Sequence, residues 1–383
     1  MNGNSGLLRP RVAVTLAMAS VAATCGGLMG VLPMPAAAAA PRPAATPVAY
    51  VADNTAGTVT PINTATNTAG APITVGTGPT WVAVTPNGAT AYVVNTGSNS
   101  VTPINTATNT AGTAIPVGTK PEFVAVTPNG ATAYVSSNGS NTVTPINTAT
   151  NTAGAPIKVG AGPLEVVVTP NGAKAYVANS GTNTVTPINT ATNRAGKPIT
   201  VGKGPDALAV TPNGKTLYVA NAGSNTVTPV TVATNTVGKA IPVGTAPDSI
   251  TITPTGTKAY VANFKSANVT PITVATNKAG TPIAVGTFPE VIAITPNNRT
   301  AYVADNGFGT GTTVTPITVA TNKAGTPITV GTSPEVVSIV AGGATAYVTN
   351  NGSNSVTPIN TVTNKAGTAI PVGTGPFGIA ITP

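Results

Sequence analysis

The chain offers few side chains for chemistry. Its 383 residues include eight carboxylates, 17 lysines and arginines, one cysteine and no histidine. Without histidine the commonest base for activating a serine is missing. The cysteine, Cys25, sits in an N-terminal apolar stretch, so a chain that loses that stretch has no disulfide, thiol nucleophile or His/Cys metal site. The carboxylates are placed with regularity. Glu122, Glu165, Asp206, Asp248, Glu290 and Glu335 each follow a proline by one or two positions, while Asp53 and Asp305 each close a segment reading Ala-Tyr-Val-Ala. Trp81, Phe123 and Phe377 accompany the same prolines. No set of nucleophile, base and orienting group emerges, so no catalytic residue and no cofactor are assigned.

These residues are positioned by a repeat. All eight tyrosines, Tyr50, Tyr92, Tyr134, Tyr176, Tyr218, Tyr260, Tyr302 and Tyr347, fall in one short motif, spaced 42 residues apart six times and 45 once. Each unit has four strand-like segments, here called a, b, c and d. In the second unit they are Trp81-Val82-Ala83-Val84, Ala91-Tyr92-Val93-Val94, Val101-Thr102-Pro103-Ile104 and Ala114-Ile115-Pro116-Val117. Thr85-Pro86-Asn87-Gly88 separates a from b: proline presets the first turn position, and Asn or Gly tolerates the positive φ that follows. Four short strands every 40-odd residues is the pattern of a propeller blade. Glycine and proline are abundant, but 41% of residues are hydrophobic and only 7% charged, the composition of an ordered, turn-rich β protein rather than a disordered one.

The Pro-x-x-Val-Ala-Val-Thr-Pro-Asn-Gly segment, the Ala-Tyr-Val-x-Asn segment and the Thr-Asn-x-x-Gly-x-x-Ile-x-Val-Gly ending resemble the bacterial YVTN-family β-propeller repeat; Tyr347-Val348-Thr349-Asn350 spells that motif. The resemblance runs over residues 47–383 and implies a propeller, often exported, but no single activity. One departure recurs in every unit. Strand c carries proline, at 61, 103, 145, 187, 229, 271, 316 and 358, where the family has Val-x-Val-Ile-Asp. Proline removes a ladder donor, which predicts a local break or bulge in each blade and a blunted outer edge. The chain opens with b, c and d of one blade and ends with a strand a at residues 376–382. That last strand can complete the first blade, which predicts an all-β, closed propeller of eight four-stranded blades. Seven blades and an unclosed unit is the alternative.

With strand a innermost, the d–a and b–c loops share one face and the a–b and c–d loops the other. The eight carboxylates map to the first face, with Lys120, Lys203 and Lys265. Ten bases map to the second: Lys174, Arg194, Lys197, Lys215, Lys239, Lys258, Lys278, Arg299, Lys323 and Lys365. The six proline-linked acids, with Trp81, Phe123, Phe377 and Phe308, are the candidate ligand site at the channel mouth. Phe308 lies in Asp305-Asn306-Gly307-Phe308-Gly309-Thr310-Gly311-Thr312, three residues longer than the other b–c loops, where it has little local partner. Packed sheets lie about 10 Å apart, so acids of neighbouring blades are expected to be too distant to share one calcium ion; the site's metal, if any, is left undefined. The ligand expected there is cationic or polyhydroxylated.

Arg9 and Arg11, an apolar run over residues 12–32 and the small residues 36–40 have the form of a secretion signal. The expected layout is a signal over residues 1–39, a Pro/Ala-rich linker over 40–46 and a propeller over 47–383. The chain then reads as a secreted or extracytoplasmic monomer without a transmembrane span after processing. It would serve as a binding or scaffold module at the cell surface, its basic face toward an anionic cell-envelope polymer. A propeller enzyme of lyase or lactonase type is the alternative, as is binding of anionic polymer or nucleic acid. Nucleic acid is disfavoured because no aromatics interleave the bases.

Overall fold

The computed structural model describes residues 46–383; the signal, Cys25 and nearly all of the linker lie outside them. The described chain folds into eight antiparallel sheets arranged as a ring. Blade 1 joins residues 48–74 to the final strand, Pro376–Ile381; blades 2 to 8 span residues 79–116, 121–158, 163–200, 205–242, 247–284, 289–329 and 334–371. Within each blade the order is a-b-c-d. Each strand a touches strand a of the next blade, including blade 8 against blade 1 and blade 1 against blade 2. Alternation along strands a and b buries both sheet faces, which is why their sequences read as continuous apolar runs.

The ring closes through the last strand. Ala49 pairs with Ile381, Tyr50 with Ala380 and Val51 with Ile379, and Thr382 N donates to Val48 O at 2.9 Å. Gly378 lies so close to the Thr80 backbone that a Cβ there would collide with it, so the closing strand seats against blade 2 only with glycine at that position.

The c-strand prolines act where expected. In blade 2, Pro103 O faces outward and accepts from Gly112 N at 2.7 Å. Its nitrogen faces the same way and has no proton. Strand d is therefore interrupted at this point: Thr110–Ala111 pairs with the end of c and Ile115–Pro116 with its start, and Thr102 and Pro103 have no ladder pair in strand d, the Gly112 bond to Pro103 O apart. The sequence placed d at residues 114–117 and the preceding residues in a loop; the observed outer strand is two two-residue pieces, because the ladder cannot pass a missing donor.

Two eightfold contacts join the blades. Each repeat tyrosine donates its hydroxyl to an asparagine in the c–d loop of the following blade, for example Tyr92 to Asn151 Oδ1 at 2.6 Å, and Tyr347 closes the series on Asn67 at 2.6 Å. Burial pushes all eight phenols up to about 12, so they remain donors across the usual pH range. On the other face the residue ending strand b packs under a d–a loop glycine: Gly76 meets Asn95, and Gly373 meets Asp53 so closely that a Cβ would lie 2.6 Å from the carboxyl carbon.

Candidate functional site

Strand a begins with proline in every blade, and its second residue falls on a break in register against strand b. In blade 3 Pro121 pairs with Ser137 and Phe123 with Ser136, so Glu122 is the extra residue of a β-bulge; Asp206 and Asp248 hold the same place in blades 5 and 6. Glu290 and Glu335 lie within the register shifts of blades 7 and 8. A bulge re-aims one side chain out of the pleat. Here it does so at the end of strand a where the d–a and b–c loops meet. That these loops share a face follows from their bonds, Thr96 N to Gly78 O at 3.0 Å and Gly97 N to Thr77 O at 3.0 Å.

The mouth is tighter than an open, solvated ring of charge. Glu165, Asp206, Asp248 and Glu335 are buried, and only Glu122 and Glu290 are partly exposed. Glu165 sits one place further along strand a and accepts from Leu208 N of blade 5 at 2.6 Å. Ser333 Oγ donates to Glu335 Oε1 at 3.0 Å. Burial lifts the Glu122 carboxyl to about 7; Lys120 opposes the shift and the negative charge of Asp206 adds to it. Asp206 is two blades away, so the charges of this ring influence one another even though their carboxylates do not converge. Among the described residues no group of three His, Cys, Asp or Glu side chains converges to hold a metal.

The three aromatics expected to stack on ligand do not face solvent. Trp81, Phe123 and Phe377 are 8%, 7% and 7% exposed. Trp81 stacks on Phe123 with ring centroids 4.5 Å apart, and all three share one apolar cluster with Val291 and Val336. They come from strands a of blades 1, 2, 3, 7 and 8, while Glu165, Asp206, Asp248 and the buried Ser249 come from blades 4, 5 and 6. The large rings pack against one another and among strands a rather than toward ligand.

Phe308 is 61% exposed, the most exposed aromatic of the described residues. It is not isolated. Its ring lies 5.3 Å from Phe288, which lies 5.0 Å from Phe264. The three come from the d–a loop between blades 6 and 7 and the b–c loops of blades 6 and 7, on the carboxylate face. Phe288 and Phe308 both have left-handed backbone, φ 50° and 58°. At the position of Phe288, blades 1, 2, 4 and 5 have glycine. Blades 3, 6 and 8 have Lys120, Ala246 and Ser333 there, also with positive φ, so the left-handed turn belongs to the d–a loop of every blade; a bulky side chain in it costs roughly 1–2 kcal/mol. Phe264 and Phe288 escaped the sequence reading; Thr-Phe-Pro in place of Thr-Gly-Pro was the available signal.

Asp53 and Asp305 end strand b and are fully buried. Thr60 Oγ1 donates to Asp53 at 2.7 Å and Thr58 Oγ1 at 3.0 Å; Thr315 and Thr313 serve Asp305 in the same way. Burial outweighs these bonds and pushes both carboxyls up to about 6. They are blade-seam residues and do not reach the axis.

The family described as "Lactonase, 7-bladed beta-propeller" matches residues 48–236 and, in a second overlapping register, 118–281, together more than half of the chain. No curated protein matches. Among solved structures, hydrazine synthase of Kuenenia stuttgartiensis is similar with a TM-score of 0.62 and 24% identity, over 74% of this chain and 96% of that one. The dihydro-heme d1 dehydrogenase NirN gives 0.74 and 14%, over 91% and 79%. Apo AztD from Citrobacter koseri gives 0.67 and 14%, over 88% and 97%. At these identities the likeness is one of fold.

Proposed function

Because the chain belongs to the "Lactonase, 7-bladed beta-propeller" family and builds that architecture with eight blades, we propose that it is an exported binding ring. Its ligand rests on the carboxylate face rather than in the axis. The finer repeat type is the YVTN repeat, by the motifs quoted above, and export follows from the signal-like residues 1–39. The observation that carries the reading is the phenylalanine ledge. Phe264, Phe288 and Phe308 form one apolar surface on the carboxylate face, Phe288 and Phe308 with left-handed backbone, while Trp81, Phe123 and Phe377 are taken up in the protein's own packing. Rigid rings bearing loops are where binding sites concentrate. Aromatic faces next to carboxylates suit a cationic or polyhydroxylated ligand.

A glycan and basic-peptide array probed with the mature protein tests this. Phe308→Ala is expected to keep the wild-type melting temperature within about 2 °C, since an exposed ring contributes little to stability. It should weaken binding of any hit by about tenfold, the loss of one stacked ring. Unchanged affinity for every hit would remove the ledge from the site; a large fall in melting temperature would make Phe308 a packing residue.

Family membership and the Glu122 carboxyl, poised near neutrality, favour a second reading: opening of a lactone, with Glu122 taking a proton from the attacking water. Hydrolysis of a δ-lactone that rises through pH 7 and is lost in Glu122→Gln would establish it. Equal rates in the two proteins would end it.

A further inference from the structure

The ten bases that the sequence maps to the a–b and c–d loop face are not spread around the ring. Blade 4 carries Lys174, Arg194 and Lys197; blade 5 Lys215 and Lys239; blade 6 Lys258 and Lys278; blade 7 Arg299 and Lys323; blade 8 Lys365. Blades 1, 2 and 3 carry none on this face. The bases form two tracks. Lys174, Lys215, Lys258 and Arg299, one per blade, sit at the a–b turns; Arg194, Lys278, Lys323 and Lys365 sit further out in the first outer-strand piece, and Lys197 and Lys239 on the blade rim between the two outer-strand pieces. Eight of the ten are exposed. The remaining two are fixed at blade seams. Lys174 Nζ donates to Val232 O at 2.6 Å, and Lys258 Nζ to Val319 O at 2.5 Å and Asn322 Oδ1 at 2.9 Å. All eight carboxylates of the chain belong to the opposite face or the axis, so this crescent has no internal counter-charge.

We propose that blades 4–8 form a curved track for a linear, flexible polyanion lacking aromatic bases, laid along the crescent with the carboxylate face turned away. A flat anionic membrane would be met by the whole face, and nothing in that geometry calls for three consecutive neutral blades. A folded acidic partner would need a clustered apolar anchor; the exposed large apolar side chains here, Val237 of blade 5 and Val362 of blade 8, stand singly on separate blades, every tyrosine is buried, and the Phe264, Phe288 and Phe308 ledge is on the other side. The same lack of stacking platforms disfavours single-stranded nucleic acid, whose affinity rests partly on base–aromatic contact. Recognition by charge alone releases counterions and is steeply salt-dependent.

Long-chain inorganic polyphosphate is the probe, with binding measured across 50–300 mM NaCl on the order of the range where counterion release acts. Wild type is expected to bind with log K falling linearly in log salt. A crescent variant carries Lys215→Glu, Lys278→Glu, Arg299→Glu and Lys323→Glu, all exposed positions. It should lose about 100-fold or more at low salt, and its salt slope should fall by about one per lost contact. An off-crescent variant with the same change in net charge, Lys120→Glu, Lys158→Glu, Lys203→Glu and Lys265→Glu, should lose under tenfold. Melting temperatures of both variants confirm that they fold. Failure of wild type to bind, or equal losses in the two variants, overturns the track. So does tighter binding of single-stranded DNA of matched charge, which would make the partner nucleic acid, or of vesicles containing phosphatidylglycerol, which would make it a membrane.

Discussion

Asp53 and Asp305 stand where five other blades have asparagine, at Asn95, Asn179, Asn221, Asn263 and Asn350. In those blades Nδ2 donates to the c-strand threonine, as Asn95 does to Thr102 at 2.9 Å. In blades 1 and 7 the threonines donate instead and the carboxyl must ionise in a buried seam. Its folded value of about 6 lies above 3.8, so the folded state prefers the protonated acid. The stability from that preference is full below about pH 4 and is lost as pH rises through 6. Asp53→Asn and Asp305→Asn are therefore expected to stabilise at pH 7, by up to about 3 kcal/mol each. The gain should shrink toward pH 4. Melting curves at both pH values check this; a gain independent of pH would mean that charge is not its source.

Between elements, the tyrosine–asparagine contact is the repeated bond of the blade seams, and two seams have a second donor. At the seam of Tyr260, Lys258 Nζ also reaches Asn322 Oδ1, at 2.9 Å. At the seam of Tyr218, the tyrosine is the side-chain donor found on Asn277 Oδ1, at 2.5 Å. Asn277 is exposed, so water can replace the lost donor, and what goes is the net worth of the bond from the buried phenol, about 0.5–1.5 kcal/mol. Tyr218→Phe should thus destabilise by about that amount and Tyr260→Phe by clearly less, read from denaturant midpoints at unchanged m-value. Equal losses would show that the lysine does not share the acceptor. The same scale explains strand d: the ladder stops at each proline, so the outermost edge of every blade is short and interrupted, which leaves less template for edge-to-edge pairing.

For the whole molecule, closure is the decisive event. The final strand contributes Phe377 and Ile379, both buried, and the hydrogen bonds of blade 1's inner edge. Deleting residues 376–383 exposes that edge and removes two large side chains from the axial packing, each contributing about 1.5–3 kcal/mol. The truncated protein should melt lower by on the order of 10 °C and self-associate at the exposed edge. A truncated protein that melts with the wild type would contradict closure by this strand. Charge is also organised at this scale, since neither the carboxylate mouth nor the basic crescent lies within a single blade.

Most of the architecture was legible because each strand, turn and seam repeats eight times. Tyrosine spacing gave the blade period, Thr-Pro-Asn-Gly gave the a–b turn, and the stray strand a at the C-terminus gave the closure and hence eight blades. The c-strand prolines announced a break, though not that it would divide strand d into two. Strand order also placed most of the charges, though not Lys197 and Lys239, which the divided strand d leaves on the blade rim. Depth did not follow from it. The sequence set Trp81, Phe123 and Phe377 beside the acids, but only the convergence of eight strands at one axis decided that the rings would pack together and leave the surface. Only that convergence brought Glu122 and Asp206 within electrostatic reach across two blades. Phe264, Phe288 and Phe308 are up to 44 positions apart in the chain, and they meet because the d–a and b–c loops of adjoining blades end at the same seam. Local pattern specifies what a repeat becomes, whereas burial and proximity between repeats depend on how the ring closes.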